Sequence, residues 1–120
     1  MKIKDHTVQV TFHPVLTALL FGIDHAYQEC GGEVIITCGN ESSAKHSYTS
    51  LHYATPGQAA DIRSWEWTYN GLVYNTKRQA DIINSVVNLY CDHMNIPYDW
   101  FDIILEDKGK PNEHWQTLRS

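Results

Sequence analysis

The sequence predicts an α+β domain, a small antiparallel sheet with two helices packed on one of its faces. Two stretches, 15–29 and 76–94, carry apolar residues at helical spacing. Four short stretches near 33–38, 58–63, 101–106 and 113–118 have the β-branched or alternating character of strands. The 120 residues have room for one core, so residues 1–120 form a single domain.

Each element follows from local chemistry. Val8-Gln-Val-Thr-Phe12 alternates apolar and polar and reads as a short strand or an extended arm, ended by His13-Pro14. Leu16, Leu19, Leu20, Ile23 and Tyr27 mark the buried stripe of the first helix, with Pro14 in its first turn and Gly31-Gly32 at its end. Glu33 to Cys38 is a β-branched run suited to a buried strand, and the polar stretch 39–49 is a loop. In 58–63, Ala59, Asp61 and Arg63 share one face of a short strand. The aromatic stretch 64–75 lacks a clean period and reads as a loop or irregular hairpin walling a cleft. Thr76 is the expected N-cap of the second helix, whose buried face is Ala80, Ile83, Val86, Val87, Tyr90 and Met94; Asn95-Ile-Pro97 stops it. The strands 101–106 and 113–118 are joined by a Gly/Pro turn over 107–112.

Composition narrows the function. A formal charge of −5 argues against a nucleic-acid or anionic-membrane partner. Three cysteines without a C-x-x-C pair indicate reduced thiols, with Cys38 and Cys91 expected in the core. No apolar run after the N-terminus is long enough for a signal peptide or membrane span, so the expected location is cytoplasmic. The chain is expected to be a monomer. Seven histidines in this length are unusual and direct attention to metal chemistry.

The stretch 45–63 presents an imidazole, His52, and a carboxylate, Asp61, nine residues apart across a glycine turn. Small residues Gly57, Ala59 and Ala60 allow the two segments to approach closely. A catalytic Zn²⁺ site needs a third protein ligand and one open position. His114 in the last strand can complete the set, and Glu113 or Glu106 can supply the general base that later returns its proton to the leaving amine. Taken singly, each residue also has a plain reading: a surface histidine, an aspartate capping a turn, a solvated edge charge.

Ile35-Ile-Thr-Cys-Gly39, His46-x-x-x-Ser50-x-His52 and Gly57-x-Ala59-x-Asp61, followed by a strand pair carrying Glu and His, resemble the zinc D-Ala-D-Ala carboxypeptidase family. That family includes phage endolysins that cleave peptidoglycan stem peptides, and hedgehog-type domains. The resemblance spans about residues 15–118. It implies His52 and Asp61 as zinc ligands, His46 and Ser50 beside the site, and a C-terminal Glu as base. It further implies a peptidoglycan peptide as substrate, met after release from the cell that makes the enzyme. The chain departs from the pattern in three places. The loop between His52 and Asp61 is longer than usual, and Cys38-Gly39-Asn40 stands where the family has an arginine. Gln116 falls where the family's last histidine belongs, and an amide is a poor zinc ligand beside an imidazole. Either His114 takes that role two residues earlier, or the site is degenerate and the domain is a non-catalytic cell-wall or protein binding module. A metal-binding protein unrelated to peptidoglycan is a further alternative.

Overall fold

The structure, a computed structural model, describes residues 1–39 and 57–119. Its elements are β1 (Lys2–Ile3), α1 (Pro14–Glu29), β2 (Ile35–Cys38), β3 (Ala59–Arg63), β4 (Trp67–Tyr69), β5 (Leu72–Tyr74), α2 (Thr76–Met94), β6 (Phe101–Glu106) and β7 (His114–Arg119). Five strands form one sheet in the order β1-β2-β3-β7-β6, and β4-β5 form a separate hairpin. The fold is α+β, and the four expected strands pair antiparallel. The sheet is mixed, because β1 adds parallel to β2, a pairing too short to register as periodicity in the sequence.

The segment 8–12 is not a strand. Val8 and Phe12 are buried in the core, and Phe12 makes an isolated bridge to Gly57. Val10 between them is exposed, so the segment is an extended arm with two anchoring side chains rather than a ladder.

Helix α1 begins where the His13 Nδ1 accepts from the Val15 amide, 3.1 Å away, and Pro14 needs no amide partner. It ends in a Schellman turn. The Gly32 amide donates to Tyr27 O at 2.8 Å and the Gly31 amide to Gln28 O at 3.1 Å, with Gly31 at φ 77°. The predicted stripe Leu16, Leu19, Leu20, Ile23 and Tyr27 is buried. Helix α2 is capped by Asn75, whose side chain accepts from the Arg78 amide at 3.0 Å; Thr76 is the first helical residue rather than the cap. Its buried residues are Gln79, Ile83, Val86, Val87 and Cys91; of the other expected positions, Ala80 and Tyr90 are half-buried against the core and Met94 is exposed. Both helices cover the sheet face formed by Ile36, Ala60, Ile62, Phe101 and Trp115.

The aromatic stretch 64–75 is a regular hairpin. Asn70 and Gly71 both have positive φ, as the tight turn of a two-residue hairpin requires. Trp67 stacks on Tyr74 with centroids 5.1 Å apart, packs against Tyr27 and donates from Nε1 to Cys30 O at 2.8 Å. None of the helices among the described residues is long and apolar enough to cross a membrane.

Candidate functional site

Because the helices cover one sheet face, strand alternation assigns the chemistry to the other. In β7, Trp115 and Thr117 are buried toward the core, so His114 and Gln116 face outward. In β3, Ala60 and Ile62 point inward and Asp61 and Arg63 outward. Register then builds two rows across the open face. Glu106, His114 and Arg63 form the first, and Ile104, Gln116, Asp61 and Cys38 the second. Cys38 is thus half-buried opposite Asp61, outside the core where the sequence pattern put it, while Cys91 is buried as expected.

His114 and Asp61 lie on adjacent rows of neighbouring strands, and their side chains close the diagonal. His114 Nε2 is 3.5 Å from Asp61 Oδ2, and both side chains are largely shielded from solvent. The other ring nitrogen, Nδ1, is 2.8 Å from Asn112 O. A carbonyl only accepts, so Nδ1 carries a proton, and Nε2 is the ring nitrogen directed at Asp61. A histidine anchored through one nitrogen to a backbone carbonyl, with the other directed at a carboxylate, has the arrangement that supports a metal ligand. The spacing also fits. Ligand atoms bound at about 2.1 Å in a tetrahedral site stand about 3.4 Å apart. The donor set of imidazole nitrogen and carboxylate oxygen suits zinc.

His46, Ser50 and His52 lie outside the described residues. Among the described residues no group of three His, Cys, Asp or Glu converges on one point, so Asp61 and His114 stand there as a pair.

The two candidate bases differ in surroundings. Glu113 Oε1 accepts from Ser64 Oγ at 2.9 Å, and Oε2 accepts from the Gly109 amide at 2.9 Å. Its carboxylate therefore ties the β6-β7 turn to the end of β3. Glu106 is the direct cross-strand partner of His114 on the open face. Gln116 is the direct partner of Asp61.

The site rests on a polar hub that sequence reasoning missed. Gln79 on α2 is fully buried, and its Nε2 donates to Ser64 O at 3.1 Å, Tyr74 O at 3.0 Å and Trp65 O at 3.3 Å. Its Oε1 accepts from Trp115 Nε1 at 2.9 Å. This one amide joins α2 to the end of β3, the aromatic hairpin and β7. The only sequence signal was a glutamine four residues before Ile83 on an otherwise apolar stripe.

No family model, curated protein or solved structure matches this chain.

Proposed function

We propose that this chain is a zinc-dependent peptidase acting on peptidoglycan stem peptides, with His52, Asp61 and His114 as ligands and Glu106 as general base. The observation that carries the reading is the approach of His114 Nε2 to Asp61 Oδ2 at 3.5 Å, with the opposite ring nitrogen held by Asn112 O. The peptide substrate follows from the motif resemblance around Ser50-x-His52 and Gly57-x-Ala59-x-Asp61. Zinc, when bound, supplies Lewis-acid polarisation of the scissile carbonyl. The chain's own residues do the rest: Glu106 accepts a proton from the attacking water and delivers it to the leaving amine, and Asn112 O fixes the His114 tautomer. Glu113, with both oxygens already accepting, holds the hairpin in register.

The test is zinc content per chain after purification without added metal, followed by hydrolysis of a stem-peptide fragment. The parent should retain one zinc, and His114→Ala and Asp61→Ala should each lose it together with hydrolysis. Glu106→Gln should keep the metal and lose turnover by roughly 10²-fold or more, whereas Glu113→Gln should affect stability more than turnover. A parent without zinc refutes the metallopeptidase reading and leaves a His–Asp ion pair on a sheet surface. The second reading, a degenerate binding module, draws on Gln116 standing directly opposite Asp61. Under it, Gln116→His creates zinc binding and activity that the parent lacks. Under the peptidase reading, the same change adds nothing.

A further inference from the structure

Beside the His114–Asp61 pair lies a cavity of about 340 Å³ whose wall includes Lys4, Thr37, Arg63, Trp65 and His114. Two cations facing one small cavity stand out in a chain of net charge −5. The negative charge in its wall, Glu113, is already engaged by Ser64 Oγ and the Gly109 amide. Arg63 sits with Cζ 3.9 Å from the centre of the Trp65 ring. A cation–π contact satisfies no carboxylate or phosphate, the groups that the N–H fork of a guanidinium matches. Among the described residues no carboxylate pairs with Arg63. Lys4 Nζ meets Asp5 Oδ2 only at 3.9 Å, between two side chains that are each more than 40% exposed, while the Thr7 amide and hydroxyl donate to the other oxygen, Oδ1. Trp65 lies at the rim of the cavity and is 64% exposed with the arginine in place, so its indole is open to a ligand there.

The geometry points to this cavity as a binding site for a compact oxyanion, a carboxylate or a phosphate group, held by the Arg63 fork and Lys4 against Trp65. Its chemistry is independent of metal. If the peptidase reading above holds, the cavity receives an anionic end of the ligand one strand position from His114, because Arg63 and His114 are direct cross-strand partners.

The probes are inorganic phosphate and, separately, N-acetyl-alanine, titrated into EDTA-treated protein while tryptophan emission and binding heat are followed. At least one probe should bind 1:1 in the millimolar range or tighter, with an emission change that Trp65→Phe abolishes. Arg63→Gln should weaken it by roughly tenfold or more, Arg63→Lys by less, since it keeps the charge and loses the fork, and Lys4→Gln by a few-fold. Saturation by N-acetyl-alanine alone assigns the site to carboxylates, by phosphate alone to phosphorylated ligands, and by both to oxyanions without regard to shape. The proposal is overturned if neither probe saturates, if Arg63→Gln binds like the parent while its circular dichroism is unchanged, or if binding appears only after zinc is restored. That last result places the anion on the metal. A parent that binds phosphate but no zinc keeps this site and refutes the peptidase reading, so the two failures are separable.

Discussion

Replacing Gln79 by Leu tests whether one buried amide organises the platform beneath the site. Leu is close to Gln in volume, so the change removes hydrogen bonds with little cavity. Two bonds are fully buried, the donation to Ser64 O and the acceptance from Trp115 Nε1. Leaving each partner unsatisfied costs about 1–3 kcal/mol. The carbonyls of Trp65 and Tyr74 are only partly buried and can turn to water, adding less. The sum is about 3–5 kcal/mol, a large share of the ~5–15 kcal/mol that typically holds a domain together. At about 4 °C per kcal/mol for a chain of this size, Tm should fall by roughly 12–20 °C. Urea and thermal unfolding, followed by tryptophan emission and far-ultraviolet circular dichroism, measure it. Gln79→Glu sharpens the test. The carboxylate keeps the acceptor for Trp115 but faces three carbonyls, so only its protonated form has a donor to offer. Its deficit relative to the parent should be smaller near pH 5 than near pH 8. A loss below about 1 kcal/mol for Gln79→Leu, or an equal deficit for Gln79→Glu at both pH values, would refute the reasoning.

Two further changes probe how the helices and the hairpin meet. The buried Tyr27 hydroxyl has no hydrogen-bond partner among the described residues, and burial pushes its ionisation well above the usual tyrosine range. The folded-state value is raised, so the contribution is fully present below the unfolded pKa of about 10 and is lost as pH rises beyond it toward the folded value. Tyr27→Phe should be neutral or up to about 1 kcal/mol stabilising at pH 8, with its advantage growing above pH 10 by at most about 1.4 kcal/mol per pH unit. Urea midpoints that keep the same difference at pH 8 and pH 11 contradict this. Gly31→Ala places a methyl carbon at φ 77° and 2.4 Å from the Tyr69 ring, so it should cost about 2 kcal/mol and disturb the hairpin aromatics in near-ultraviolet circular dichroism. Unchanged stability would mean that the hairpin is not anchored on the end of α1.

The elements that were legible in the sequence are those whose burial is one-sided and apolar. The stripe of α1 from Leu16 to Tyr27 is hydrocarbon and aromatic apart from Asp24, which is buried for its hydrogen bonds, so the period of 3.6 names most of the buried face directly. In β3, Ala60 and Ile62 against Asp61 and Arg63 gives a clean period of two. Where polar groups do structural work, the pattern misleads. Gln79 breaks the α2 stripe because it is buried for its hydrogen bonds, and the predicted face names the half-buried Ala80 in its place. Val8 to Phe12 alternates for a different reason, since an arm with two anchoring side chains looks locally like a strand. The edge pairing of Lys2–Ile3 with β2 depends on a partner more than thirty positions away, and two residues hold no period of their own.

The site was legible by residue type and only partly by geometry. Histidine and aspartate at metal-ligand spacing could be read along the chain, but the approach of His114 to Asp61 depends on register. The pairs Asp61–Gln116 and Arg63–His114 make it a diagonal contact rather than a direct one. Register also separates the two glutamates. Adjacency along the chain favoured Glu113, beside the candidate ligand, yet neighbours in a strand point to opposite faces. Glu113 consequently meets Ser64 and Gly109, while Glu106, seven positions earlier, becomes the cross-strand partner of His114. Both glutamates border the candidate site, Glu113 in the cavity wall beside His114 and Glu106 across the strand pair. Glu106 is proposed as base because of that pairing and because the Glu113 oxygens already accept two hydrogen bonds.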